Sequence, residues 1–321
     1  MQGDKLRIVF FGTPEFAVGS LDRLVKGGEN IVGVVTMPDK KAGRGQKVTE
    51  SDVKRYAMEH NLKVLQPQNL KDPEFLKELE DLRADLFIVI AFRMLPEAVW
   101  QMPPKGTFNL HASLLPRYRG AAPINHALIN GDKKTGVTTF FLKHEIDTGD
   151  IISRKEIEID DNDNAGSLHD KLMALGAEMV ASTVRDITAG EVKASPQPEG
   201  EFKPAPKIFK EDCRIDWNLP SAAIHNLVRG LSPYPAAWTK YKDEKTGDKL
   251  NDIKVFETAV NYPSAVTKSN DMVPGTVVKE KQKLFVVTAD GFVEILSLQP
   301  AGKKRMDTDS FLRGYSPVFF V

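Results

Sequence analysis

Short apolar runs alternating with amphipathic segments through the first third of the chain restrict its fold more than any other feature. Strand-like runs at Leu6–Phe11, Ile31–Val35, Lys63–Leu65, Leu86–Ile90 and Thr107–Leu110 are separated by helix-like stretches at Phe16–Val25, Asp52–His60, Pro73–Leu82 and Pro96–Met102. Such β-α-β alternation predicts a parallel sheet covered by helices on both faces. The first domain is therefore expected to be α/β, a Rossmann-like unit with a mainly parallel sheet. Ligands in that architecture bind beyond the carboxyl ends of the strands, which directs attention to the place where Thr107–Leu110 runs out.

The rest of the chain changes character. Ile151–Ile159 reads as a further strand, and Ser167 with Asp170 marks a helix start before Leu168, Leu172, Leu175 and Met179 at helical spacing, closing the first domain near Gly190. From Glu191 to Pro206 the composition turns to Pro, Lys, Glu, Ser and Gln, with Pro196, Pro198, Pro204 and Pro206 interrupting any regular element, so this stretch is expected to be an interdomain linker. Beyond it come one helix, Ser221–Leu231, and short strands at Ala237–Tyr241, Ile253–Val260, Gly275–Val278, Leu284–Thr288 and Phe292–Leu298. That pattern predicts a small, mostly antiparallel β-barrel, OB-like in size. A chain of 321 residues exceeds what one core organises, and the expected division is 1–190, 191–206 and 207–321.

Composition narrows the function classes. Lys plus Arg equals Asp plus Glu at 44 each, so any nucleic-acid partner must be met by a local basic face rather than by net charge. The single cysteine, Cys213, has no partner for an intrachain disulfide and no Cys/His cluster with zinc spacing around it, so no metal is expected and a reducing cytoplasm fits best. No stretch is long and apolar enough for a membrane span or a signal segment. Gly12-Thr13-Pro14 follows the first strand without a Gly-x-Gly-x-x-Gly or P-loop pattern, which gives no reason to infer a nucleotide cofactor.

Chemistry concentrates between Phe108 and Ile152. Asn109 and His111 stand two residues apart on one strand face, followed by Ser113-Leu114-Leu115-Pro116-Arg117-Tyr118-Arg119-Gly120 and by the acidic turn Asp147-Thr148-Gly149-Asp150. An amide, an imidazole and a carboxylate suffice for acyl transfer to an amine without a covalent enzyme intermediate. Asn109 can offer N–H groups to a developing oxyanion, His111 can donate a hydrogen bond or a proton, and Asp147 can orient His111 or relay a proton. Taken singly, Asn-x-His is also a strand-end polar pair satisfied by backbone, and Asp-Thr-Gly-Asp is also a tight turn. A second cluster, Met37–Thr49, carries Lys40, Lys41, Arg44 and Lys47 with Gly43 and Gly45 between them, a solvated loop or a phosphate-holding one.

The run Asn109–Gly120, with Ala121-Ala122-Pro123-Ile124 and Ile146–Asp150, resembles the 10-formyltetrahydrofolate-dependent formyltransferases. Ile8–Phe16, Pro38-Asp39 through Arg44-Gly45, Arg214-Ile215-Asp216-Trp217 and Leu296–Lys304 extend the resemblance over nearly the whole chain. It implies that Asn109, His111 and Asp147 are catalytic, that Ser113, Leu114, Leu115 and Pro116 line the folate, and that Val89, Ile90 and Ala91 form a pterin slot through backbone groups. It implies 10-formyltetrahydrofolate as co-substrate and the α-amino group of methionyl initiator tRNA as acceptor, with an amino sugar or nucleotide as the alternative acceptor. Lys40, Lys41, Arg44 and Lys47 would then meet the tRNA acceptor end, Arg44 foremost, and Lys207, Lys303, Lys304 and Arg305 would be further phosphate contacts. Where the family carries a Tyr-Gly-rich segment, this chain reads Ala91-Phe92-Arg93-Met94-Leu95-Pro96. Trp217 and Trp238 are expected to anchor the barrel core, and the protein is expected to be a monomer.

Overall fold

The computed structural model describes residues 5–42, 47–200, 202–264 and 271–321. In chain order the first elements are β1 (Arg7–Gly12), α1 (Glu15–Lys26), β2 (Asn30–Val35), β3 (Lys40–Ala42), β4 (Lys47–Thr49), α2 (Asp52–Glu59), β5 (Val64–Leu65), α3 (Pro73–Asp81), β6 (Leu86–Ile90), α4 (Glu97–Trp100) and β7 (Thr107–His111). They are followed by β8 (Arg119–Gly120), α5 (Pro123–Ile129), β9 (Lys134–Phe141), β10 (Ile151–Glu158), α6 (Ala165–Ala189) and β11 (Pro204–Ala205). The remainder comprises α7 (Ser221–Leu231), β12 (Ala237–Asp243), β13 (Gly247–Ala259), β14 (Val277–Glu280), β15 (Lys283–Val287), β16 (Phe292–Pro300), β17 (Met306–Asp307), α8 (Thr308–Gly314) and β18 (Pro317–Phe320).

Two compact units result. One holds residues 1–120, 134–157 and 169–205, and the other 121–133, 158–168 and 206–321. In the first, a seven-stranded sheet runs in the order β10-β9-β7-β6-β1-β2-β5. The pairs β1 with β2 and β6, β2 with β5, and β6 with β7 are parallel, as the alternation predicts. β6 reads Leu-Phe-Ile-Val-Ile and is buried at every position, which a strand covered on both faces requires. Local signals agree with the packing: Ser51 caps α2 by accepting from Lys54 N at 3.0 Å, and Asp72 caps α3 ahead of Pro73 at its first turn.

β9 escapes the alternation rule. Its Lys-Thr-Gly-Val-Thr-Thr-Phe-Phe sequence has neither period 2 nor a continuous apolar run, yet it lies antiparallel to β7, from Phe108 opposite Phe141 to His111 opposite Thr138. Gly136 is required there, because a Cβ would come within 2.1 Å of the Lys155 carbonyl oxygen. The Pro-rich stretch 191–206 also differs from a free connection. Ser195 bridges Ile151, and β11 pairs in parallel with β8, Pro204 beside Arg119 and Ala205 beside Gly120.

In the second unit the strands follow the order β14-β15-β16-β13-β12-β18, and a bridge between Thr276 and Phe319 brings the first strand to the last. This nearly closes the antiparallel sheet into a barrel. Trp217, 3% exposed, sits in the barrel core with Ile224, Val228, Tyr241, Phe311 and Phe320, its indole N–H donating to Thr239 Oγ1 at 3.1 Å. The sequence-based expectation for Trp217 as a core anchor agrees with this. Among the described residues no helix is long and apolar enough to cross a membrane.

Candidate active site

The site lies where β1, β6 and β7 reach their carboxyl ends. The β6–β7 ladder ends at Val89 opposite Asn109, and the β1–β6 ladder at Gly12 opposite Ile90. Beyond that point the chain turns at Ala91, which takes φ 47° and is exposed, while the side chains of Val89 and Ile90 stay buried. Backbone polar groups thus leave the ladder next to Asn109. The Asn109 side chain is half-buried, and its amide has no hydrogen-bond partner among the described residues.

His111, by contrast, is held on both sides. Its ring is 7% exposed, Nε2 lies 2.8 Å from the Tyr118 carbonyl oxygen, and Nδ1 lies 3.8 Å from Asp147 Oδ2. A carbonyl can only accept, so the Tyr118 contact places a proton on Nε2 and turns Nδ1 toward the carboxylate. Asp147 Oδ2 also accepts from Gly120 N at 3.0 Å. Both partners of the imidazole have left-handed backbone, Tyr118 at φ 61° and Asp147 at φ 54°. A non-glycine residue there costs roughly 1–2 kcal/mol and persists only where surrounding contacts impose it.

Those contacts are present. Gly149 is backed so closely against β9 that a Cβ would stand 1.5 Å from the Phe141 carbonyl oxygen. At Gly120, whose φ is 124°, a Cβ would stand 2.5 Å from the Ala205 carbonyl oxygen. Gln197 Nε2 donates to the carbonyls of Asp147 at 2.7 Å and Gly149 at 3.0 Å. Sequence reasoning missed Gln197 and Tyr118: one lay in a stretch read as linker, and the other acts through its carbonyl, which carries no side-chain signal.

The tract expected to line folate divides in two. Ser113 is fully buried with Oγ donating to Arg117 O at 2.7 Å, and Leu115 is fully buried in a cluster with Phe140 and Ile151. Leu114 and Pro116 are half-buried. The main chain between them is fixed as well, with Leu115 N donating to Thr138 Oγ1 at 3.2 Å and Arg154 Nη1 donating to Leu115 O at 3.0 Å. Across from the slot, Arg93 donates to the carbonyls of Pro67 and Gln68, which ties the departing Ala91–Pro96 segment to a neighbouring loop.

Basic candidates fall into separate groups. Lys40, Lys41 and Lys47 lie on the two-stranded β3–β4 ribbon, where Lys40 is exposed and pairs with Thr49. Arg44 lies outside the described residues. In the barrel unit Lys207 is exposed with its ammonium 5.4 Å from the Phe209 ring centre, and Lys303 and Lys304 are exposed without side-chain partners among the described residues. Arg305 is committed: it pairs with Glu257 at 2.5 Å, donates to Ser297 Oγ and covers the Phe256 ring. The expectations passed over Lys210 and Arg214, whose charges sit 5.6 and 5.9 Å from the ring centre of Trp238. Arg214 opens the Arg-Ile-Asp-Trp motif, whereas Lys210 precedes it and carried no signal of its own.

A half-buried amide near an enclosed imidazole–carboxylate pair, on an α/β unit joined in one chain to a nearly closed barrel, is the arrangement expected of a group-transfer enzyme of the formyltransferase type. The formyl transferase family profile matches residues 6–184 and the formyl transferase C-terminal domain profile residues 207–316, so the chain belongs to the formyl transferase family. Its relatives carry a more particular name. A methionyl-tRNA formyltransferase of Bacteroides fragilis is 56% identical over 320 residues, covering 98% of this chain and 97% of that protein. One of Flavobacterium johnsoniae is 51% identical over 314 residues, covering 97% and 96%. Among solved structures, an N-formyltransferase from Helicobacter canadensis in complex with folinic acid and dTDP-3-aminofucose shares the fold at TM-score 0.62 and 19% identity, covering 94% of this chain and all of that one. HypX from Aquifex aeolicus in complex with tetrahydrofolic acid does so at TM-score 0.62 and 18% identity, covering 96% of this chain and 47% of that one.

Proposed function

We propose that this enzyme transfers the formyl group of 10-formyltetrahydrofolate to the α-amino group of methionyl initiator tRNA. The observation that carries the reading is the full-length similarity, above 50%, to methionyl-tRNA formyltransferases, which extends through the barrel as well as the catalytic unit. The residues present fit a folate. Beyond Ile90 the backbone leaves the ladder and offers donors and acceptors to a ring edge, and Leu114 and Pro116 offer apolar surface beside it. Bound there, the co-substrate supplies an activated formyl carbon.

The chain's own residues then have distinct tasks. Asn109, its amide without a hydrogen-bond partner among the described residues, donates to the formyl oxygen as it gains negative charge. The attacking amine has a pKa no higher than about 8 and needs little activation. It becomes cationic as it attacks, and the His111–Asp147 pair takes up the proton it sheds and returns one to the departing nitrogen. Because Tyr118 holds Nε2–H, proton traffic runs on the Nδ1 side, facing Asp147. Lys40, Lys41, Arg44 and Lys47, with Lys207, Lys303 and Lys304, hold tRNA phosphates, while Arg305 shapes the surface through Glu257. We place the enzyme in the cytoplasm and expect it to act as a monomer.

Formylation assays with methionyl-tRNA and with nucleotide-linked amino sugars, each with 10-formyltetrahydrofolate, test the acceptor. Transfer to tRNA alone is expected; transfer to the amino sugar alone would overturn the reading.

A further inference from the structure

We infer that Gln197 is a positioning residue for Asp147, and through Asp147 for the imidazole of His111. This rests on the catalytic reading above. The Gln197 amide spends all its hydrogen-bonding capacity at this place: Nε2 donates to the carbonyls of Asp147 and Gly149 at 2.7 and 3.0 Å, and Oε1 accepts from Arg119 Nη2 at 2.6 Å and Nε at 3.2 Å. The two carbonyls flank the turn whose first residue, Asp147, has the left-handed φ of 54°. A strained residue stays where it is only when its surroundings over-determine it. Here the carboxylate end is held by Gly120 N and the main-chain end by Gln197.

The segment that carries Gln197 reaches the other side of the imidazole too. Ser195 and Ile151 exchange backbone hydrogen bonds at 2.7 and 3.0 Å, and Tyr118 N donates to Lys203 O at 2.6 Å. Pro204 and Ala205 pair with Arg119 and Gly120. Tyr118 supplies the carbonyl that takes His111 Nε2, and Arg119, next in sequence, clamps the Gln197 amide. One segment therefore grips both neighbours of the imidazole. Gln197 is its only side chain that bonds directly to the Asp147 turn among the described residues.

The test is a double-mutant cycle on single-turnover formyl transfer to methionyl-tRNA, with saturating substrates, for the parent enzyme, Q197A, D147A and Q197A/D147A. Folate affinity and melting temperature are measured on each. Q197A should lower the saturated rate roughly ten-fold, the worth of one or two hydrogen bonds, with folate affinity unchanged. The double variant should be no slower than D147A, because Gln197 acts only through Asp147. Losses that multiply, or a loss confined to folate affinity, would overturn the inference, as would a parental rate in Q197A. A parental rate in D147A would remove the catalytic assignment of Asp147 itself, a distinct failure that leaves Gln197 nothing to position. Should Q197A fail to fold, Q197E keeps the acceptor for Arg119 and aims an oxygen at the two carbonyls; the same slowing is expected of it.

Discussion

Asn109 and His111 share a strand face but differ in their surroundings: the amide has no hydrogen-bond partner among the described residues, while the imidazole is enclosed. The proposed division between an oxyanion donor and a proton handler rests on that contrast. Asn109→Ala should lower the formylation rate roughly 10²–10³-fold, as the loss of one oxyanion donor does elsewhere, while leaving the fold intact. A rate within a few-fold of the parent would remove the amide from the chemistry. Residue types were enough to single out Asn109 and His111 at a strand end and Asp147 in a turn as candidates, and the structure brings His111 and Asp147 together, Nδ1 3.8 Å from Oδ2. Tyr118 was beyond such reading because its contribution is a carbonyl, and Ser113 and Leu115 turned out to be buried because their neighbours, not their polarity, decide where they point. Leu115→Ala should accordingly cost about 2–5 kcal/mol of stability, measured by denaturant unfolding. An unchanged midpoint would contradict its place in the Phe140–Ile151 cluster.

At the scale of elements, β7 presents the site and the turn after β9 completes it. Gly149 allows that turn to lie against Phe141, so Gly149→Ala must move backbone; a loss of about 1–3 kcal/mol and a slower enzyme are expected, read by thermal melting and rate together. Strands with uninterrupted apolar runs were legible, whereas β9 was hidden by its threonines and glycine. β8 and β11 are two-residue pairings, set by what lies nearby in space and invisible to periodicity. α7 carries a different prediction. His225 is held below its ordinary pKa by burial first and by the Arg229 charge second, against opposing contributions from Thr258 and Asp161. The unfolded chain therefore binds the proton more readily, and stability falls as pH drops from the ordinary histidine value of about 6.5 toward the lower folded value. Denaturation of the barrel unit, followed near Trp217 and Trp238, should need less urea at pH 5.5 than at pH 7.5, and H225Q should flatten that slope. An H225Q titration parallel to the parent's would contradict it.

Across the whole molecule, a parallel sheet followed by an antiparallel barrel was readable because the two halves follow different hydrophobic rhythms. The bridge between Thr276 and Phe319 that nearly closes the barrel was not, since those residues stand far apart in the chain and nothing in either marks the other. The grouping of residues 121–133 and 158–168 with the barrel unit was hidden for the same reason. The proposed division of labour assigns formyl transfer to the ends of β1, β6 and β7 and tRNA recognition to basic groups on the β3–β4 ribbon and the barrel. The most direct measurement is formyl transfer from 10-formyltetrahydrofolate to initiator and elongator methionyl-tRNA under identical conditions. The account predicts formylation of the initiator form at a rate well above that of the elongator; equal rates, or none with either, would contradict it.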